Sequence, residues 1–190
     1  VVISLRTYLI LLAAVGVERL YELTIARRNT HVALARGATE VGRGHYRVMV
    51  VLHVLFLSSC AAEALTIATL PAPIVQWSAV AAALLAQSLR YWAILTLGDR
   101  WNTRIIVFPD SSPVTRGPYR FIRHPNYVAV VIEMFAVPAI AGCWLTAMLF
   151  SLANAILLAV RIRAEERAMG QNYSRAFSGR SRFIPGVRGA

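Results

Sequence analysis

Two short polar stretches carry the residues able to do chemistry. The first is Arg116-Gly117-Pro118-Tyr119-Arg120-Phe121-Ile122-Arg123-His124-Pro125-Asn126-Tyr127, and the second is Arg161-Ile162-Arg163-Ala164-Glu165-Glu166. In the first, each proline biases the residue before it away from helical geometry, so Gly117 and His124 are predicted in turns or extended backbone, with N–H groups left free for a ligand. Arginines there suit a carboxylate or phosphate, and the tyrosines suit a planar ring or a cation. In the second, Arg161 and Glu165 stand four apart on one predicted helix face, while Glu166 points about 100° away. Adjacent carboxylates repel, so each needs a cationic or hydroxylic partner. Together the stretches describe a pocket with acidic, basic and aromatic walls.

The segments that must position them are apolar. Hydrophobic residues make up 57% of the 190 residues and mean hydropathy is +0.56, which places the chain with membrane proteins. Predicted spans cover residues 1–26, 46–70, 74–97, 127–141 and 144–160, an all-α fold of about five transmembrane helices in a single domain over 1–190. The last two give roughly 22–26 Å of helix, short of a ~30 Å hydrocarbon core. They form a tight hairpin that brings both polar stretches to headgroup depth, with Pro138 expected to kink the first. The run 27–45 is expected to stop the first span at Arg27-Arg28-Asn29 and continue as loop or interfacial chain. The first apolar run passes into Glu18-Arg19-Leu20-Tyr21-Glu22 without a small-residue cleavage site, so no cleavable signal peptide is expected.

The net charge of +11 comes from arginine alone. Five arginines lie in 27–47, five in 98–125 and seven from 161 onward, and the two remaining connections hold none. The positive-inside rule then places all three basic segments in the cytoplasm, with the N-terminus outside. Because the arginines flank apolar spans, they exclude a nucleic-acid partner better than they suggest one. Cys60 and Cys143 have no metal-type spacing and are expected to pack. Among ionisable groups within the spans, Arg90 is expected to snorkel or to meet a glutamate, and Glu18 and Glu22 to pair with loop arginines. Glu133 is a candidate for the site wall. His45, Met49 and His53 form a packed face of the second span. Trp77, Trp92, Trp101 and Trp144 read as interfacial anchors, Trp101 also as a wall of the acceptor entrance.

Gly117-x-Tyr119, Arg123-His124-Pro125-x-Tyr127, Arg161-Ile162-x-x-Glu165-Glu166, Gly170, Tyr173 and Arg182-Phe183-Ile184-Pro185 resemble the isoprenylcysteine carboxyl methyltransferase and phospholipid methyltransferase group of integral-membrane enzymes. The resemblance covers about the last half of the chain. It implies S-adenosylmethionine as cofactor, with S-adenosylhomocysteine as product, held by Tyr119, Arg123, His124, Pro125, Tyr127, Glu165 and Glu166 in a cytoplasmic cavity. It implies Arg161 as anchor for the acceptor's anionic group, with Glu165 beside it as the second catalytic residue; Glu133 and Trp101 are expected, from their positions alone, to line the acceptor. No metal is implied. Pro109 to Thr115 lacks the histidine that members acting on prenylated cysteine carry ahead of Gly-x-Tyr. The first half is closer to bacterial members, some of which are associated with lipidic polyketides and methylate alkylpyrones. The expected activity is therefore methyl transfer to an oxygen of a lipophilic acceptor, prenylcysteine-like or alkylpyrone-like, at the cytoplasmic face of a bacterial inner membrane. Alternatives are an NADPH-dependent sterol-type reductase, which shares the RHPxY element, a phospholipid N-methyltransferase, and a non-catalytic protein binding anionic lipid.

Overall fold

The computed structural model describes residues 2–66, 69–108 and 111–186. Val1, Ile67, Ala68, Pro109, Asp110 and 187–190, which the sequence reading gives to the first two spans, the motif segment and the tail, lie outside the described residues. Five helices are present: α1 Leu5–Ala35, α2 Arg43–Thr66, α3 Pro73–Leu97, α4 Pro125–Ala139 and α5 Trp144–Ala176. Three helical segments are long and apolar enough to cross a membrane: Arg43–Thr66, Pro73–Arg100 and Trp144–Ala176. The protein is an α-helical membrane protein; α4 is short as expected, but α5 runs 33 residues to Ala176, past the expected end at 160, and is long enough to cross, which corrects the expectation of two short helices.

The main departure is at the basic end of the bundle. α1 does not stop at Arg27-Arg28-Asn29 but runs on to Ala35. Arginine is a good helix former. Arg27 and Arg28 are exposed while Asn29 and Thr30 are buried. Asn29 donates to the carbonyls of Gly98 (3.2 Å) and Trp101 (2.7 Å), so the emerging helix is docked on the loop after α3. A two-stranded antiparallel sheet then joins β1 Thr39–Val41 to β2 Ile105–Val107, with Glu40 opposite Ile106. Three-residue strands set between polar flanks carry no usable alternation, and the sequence reading had loop there.

Buried ions hold the membrane half together. Arg90 binds both oxygens of Glu22 (2.7 and 2.8 Å) and reaches Glu133 (3.3 Å), while Arg19 bonds Glu22 (2.7 Å) and Glu133 (2.6 Å). Glu18 takes bonds from Gln87 and Tyr91. Glu18 and Glu22 thus pair within the bundle and not with loop arginines, which corrects the sequence expectation. Satisfied buried ion pairs resist separation far more than they add net stability. This network bolts α1 to α3 and α4.

At the opposite end, α5 begins at Cys143, which supplies no side-chain cap. Glu63 of α2 supplies it instead, accepting from the backbone N–H of Leu145 (3.0 Å) and Thr146 (2.7 Å), a carboxylate where the helix dipole favours one. Pro138 sits in the last turn of α4 and closes it at Ala139 without the expected kink farther back. Tyr8, Cys60, Met134, Ile140 and Cys143 form the apolar core there, and both cysteines are buried and free.

Candidate active site

α4 starts as its sequence demands. Pro125 occupies its first turn, and His124 before it is non-helical at φ −128°, ψ 59°. Upstream, the loop makes a 3-10 turn, Gly117–Arg120, with Gly117 at φ +58°. A Cβ at Gly117 would collide with the Thr96 side chain, so only glycine lets this loop lie against the end of α3.

The adjacent glutamates of α5 divide the work between them. Tyr127 Oη donates to Glu165 (2.6 Å), while Glu166 meets His124 Nε2 (3.0 Å) and a two-pronged Arg182 (3.0 and 2.6 Å). The His124 and Tyr127 rings stack with centroids 5.3 Å apart. The Glu166 contact holds the Arg182 guanidinium more firmly charged than an ordinary arginine. Burial, seconded by Glu165, pushes the Tyr119 phenol well above its usual range, so it stays neutral.

The chain after α5 straps this assembly. Arg123 and His124 donate their backbone N–H groups to the carbonyls of Ser181 (3.0 Å) and Arg182 (3.2 Å). Arg123 Nε donates to Arg180 O (2.7 Å), and Arg180 returns a bond to Tyr119 O (3.1 Å). Of the two N–H groups expected to be free for a ligand, that of His124 is thus taken by the tail. The correction has a simple cause: extended backbone beside extended backbone pairs before it waits for a ligand.

These walls enclose a cavity of about 340 Å³. One stripe of α5 lines it, Asn154, Leu158, Arg161, Glu165 and Met169, at helical spacing. Beyond the non-helical Gly170 (φ 68°, ψ −159°), Tyr173 and Phe177 continue the lining. Opposite stand His124, Tyr127, Tyr119, Arg123 and Trp101. Farther along α1, α2 and α3 the lining mixes apolar Leu20, Leu23, Val50 and Val54 with Arg19, Glu22 and Arg90 of the buried ion network. Leu20 and Val54 are also 65% and 59% exposed, so this end lies at the outer face of the bundle.

Arg161 is the most telling residue. It is 3% exposed; its Nη2 donates to Thr103 O (3.0 Å), and its Nε and Nη1 have no partner among the described residues. A buried guanidinium half-paired is costly unless an anion completes it. Trp101 Nε1, Asn126 Oδ1 and both amide atoms of Asn154 are likewise buried, unpartnered and on the cavity wall.

Of the sequence-predicted residues, Tyr119, Arg123, His124, Tyr127, Arg161, Glu165 and Trp101 line this one cavity. Trp101 is buried at 2% exposure, unlike Trp77, Trp92 and Trp144, which are 44–50% exposed. Pro125 and Glu166 are outside the lining and stand behind it, and Glu133 faces the Arg19–Arg90 network. Sequence reasoning gave no site role to Asn154, Asn126 or Phe177, and used Tyr173 only as part of the resemblance; the Tyr173 and Phe177 rings are 4.6 Å apart. The spacing of seven between Asn154 and Arg161 was the signal for the first. Met49 and His53, read as a packed face, are also cavity wall, with His53 Nδ1 against its own helix at Met49 O (2.8 Å).

Comparison with known proteins agrees with this arrangement. The sequence model of the isoprenylcysteine carboxyl methyltransferase family matches residues 79–171. An uncharacterized protein, YpbQ of Bacillus subtilis, is 41% identical over 166 residues, 87% of this chain and 97% of that protein. The chain belongs to the isoprenylcysteine carboxyl methyltransferase family. An uncharacterized protein of Haemophilus influenzae is a more distant relative, 25% identical over 159 residues, 83% of this chain and 92% of its own. In this methyltransferase-family chain the matched region runs from α3 through the His124 loop to Gln171 just past Gly170, and so takes in both motifs. The apolar walls from α1 and α2 lie outside it. Membership points to a membrane methyltransferase.

Proposed function

We propose that the protein transfers the methyl group of S-adenosylmethionine to an oxygen of a lipophilic, anionic small molecule, at the cytoplasmic face of a bacterial inner membrane. The observation that carries this reading is Arg161, buried and half-paired in a cavity that both motifs wall. The residues present suit the cofactor. Glu165 offers a carboxylate for ribose hydroxyls or a sulfonium, and the His124–Tyr127 and Tyr173–Phe177 rings offer faces to a purine. Arg123 lines the same end, although its Nε is held by the tail. Glu166 acts through His124, fixing the ring, and not as a ligand group itself.

When bound, the cofactor supplies an electrophilic methyl on a positively charged sulfur. The chain's own contribution is alignment. Arg161 orients the acceptor's anion toward the Glu165 end, and the buried walls exclude water, which competes both as solvent and as nucleophile. An acceptor that arrives deprotonated would need no base from the chain, so Arg161 holds its anion without taking a proton. A carboxylate or an acidic enol meets that condition, and an alkylpyrone-like hydroxyl fits it as well as a prenylcysteine-like carboxylate. An ammonium head would face an unpaired arginine, which argues against a phospholipid amine. Membrane lipid is the medium from which the acceptor comes.

The test is calorimetry of purified protein with S-adenosylhomocysteine, followed by incubation with radiolabelled S-adenosylmethionine and membrane lipid extracts. Binding and label transfer into an apolar ester or enol ether are expected. No binding at near-millimolar homocysteine nucleoside, or binding of NADPH instead, sinks the reading.

A further inference from the structure

Asn154 stands deep in α5, two helical turns toward the membrane from Arg161 and on the same face. It is 1% exposed, lines the cavity, and neither its Nδ2 nor its Oδ1 has a hydrogen-bond partner among the described residues. An amide buried without a partner gives up its bonds to water for nothing in return, and an apolar side chain there would avoid that loss. The amide is therefore placed for something that enters the cavity.

What enters can be read from the order of groups along the wall. Along the α5 stripe Glu165 comes first, then Arg161, then Asn154, and the α1 and α2 walls add apolar Leu20, Leu23, Val50 and Val54 beside Arg19 and Glu22. Asn154 and Arg161 are separated by roughly 10 Å of helix rise, and an arginine side chain leans toward its helix N-terminus, which shortens the gap by several Å. The unpartnered donors, Arg161 Nε and Nη1, Trp101 Nε1 and Asn154 Nδ2, outnumber the unpartnered acceptors. A carboxylate seated on Arg161 spends its charge-assisted bonds there and leaves the Asn154 amide for an oxygen elsewhere on the acceptor.

We infer that Asn154 selects the acceptor, by donating a hydrogen bond to a neutral oxygen that the acceptor carries apart from its anionic group. This deepens the proposed methyl transfer and rests on it. Asn154 does not touch the transferring methyl; it sets which heads seat well enough to be aligned.

The experiment compares two probes of equal carbon count, a hydroxypyrone bearing an undecyl chain and a saturated fatty acid. The pyrone has a ring carbonyl separate from its acidic hydroxyl, and the fatty acid has only its carboxylate. The ratio of kcat/KM for the two is measured in the unaltered protein, in N154L and in N154S, alongside S-adenosylhomocysteine affinity by calorimetry. Both variants are expected to bind the homocysteine nucleoside as before and to lose about tenfold of the preference for the pyrone, mostly through KM. An unchanged ratio in either variant that still binds overturns the inference and leaves the methyltransferase reading intact, as does equal use of both probes by the unaltered protein. Loss of nucleoside binding in both variants assigns Asn154 to folding and also overturns it. Transfer to neither probe by the unaltered protein counts against the proposed acceptor class, and the inference goes with it.

Discussion

Arg161, Glu166 and Tyr127 divide the site among three jobs, and substitutions should separate them. Arg161→Ala removes the cation that has room for one more anion. It is expected to lower kcat/KM by about 100-fold while the S-adenosylhomocysteine Kd stays within about threefold, read by single-turnover transfer and calorimetry. A parallel fall in both would mean Arg161 holds the cofactor. Glu166→Gln keeps the size but weakens the grip on His124 and Arg182. Cofactor affinity should drop by about tenfold, and Tyr127→Phe, which gives up only the bond to Glu165, should cost less. The histidine, the tyrosine and the twin acids were legible because their types are wasteful in a lipid flank. Glu166's role as a bracket was not legible, since a helix wheel shows which way a side chain points and not what stands behind it.

Among the elements, α5 depends on its neighbours at both ends. Its start is capped by Glu63, so Glu63→Ala should cost about 1 kcal/mol of stability, read as a lower thermal midpoint in detergent with cofactor affinity unchanged. A larger loss of cofactor affinity than of stability would contradict that. In the bundle, Arg90→Leu strands Glu22 and part of Glu133 without a partner, and is expected to destabilise by about 3–5 kcal/mol. Removal of the segment from Arg180 onward should abolish cofactor binding while leaving the helical circular-dichroism signal, because that strap holds Arg123, His124 and Glu166 and its described residues form no helix of their own. The five helices were visible in the hydropathy. The extension of α1 to Ala35 and the small sheet were not, because both are decided by docking against the Trp101 loop and not by local pattern.

At the scale of the molecule, the three arginine-rich segments meet at one end, joined by the β1–β2 ladder and by the tail against the His124 loop. Charge counting alone had assigned them a common side. What charge could not reveal was that the ionisable groups farther down form a closed set. Glu18, Arg19, Glu22, Arg90 and Glu133 satisfy one another, so Glu133, marked in the sequence as a site residue, is occupied elsewhere. Asn154 and Arg161 are the converse case, left unmet by the fold.

The unlike ends of the cavity bear on kinetics. On the proposed reading, a greasy acceptor enters past the exposed Leu20 and Val54 and a charged nucleoside by the motif end of the cavity, so neither need queue behind the other. Initial-rate patterns should then intersect without a compulsory order, and the spent nucleoside should inhibit competitively against the methyl donor but noncompetitively against the acceptor. An enzyme built this way can reload from the aqueous side while its next lipid is still arriving.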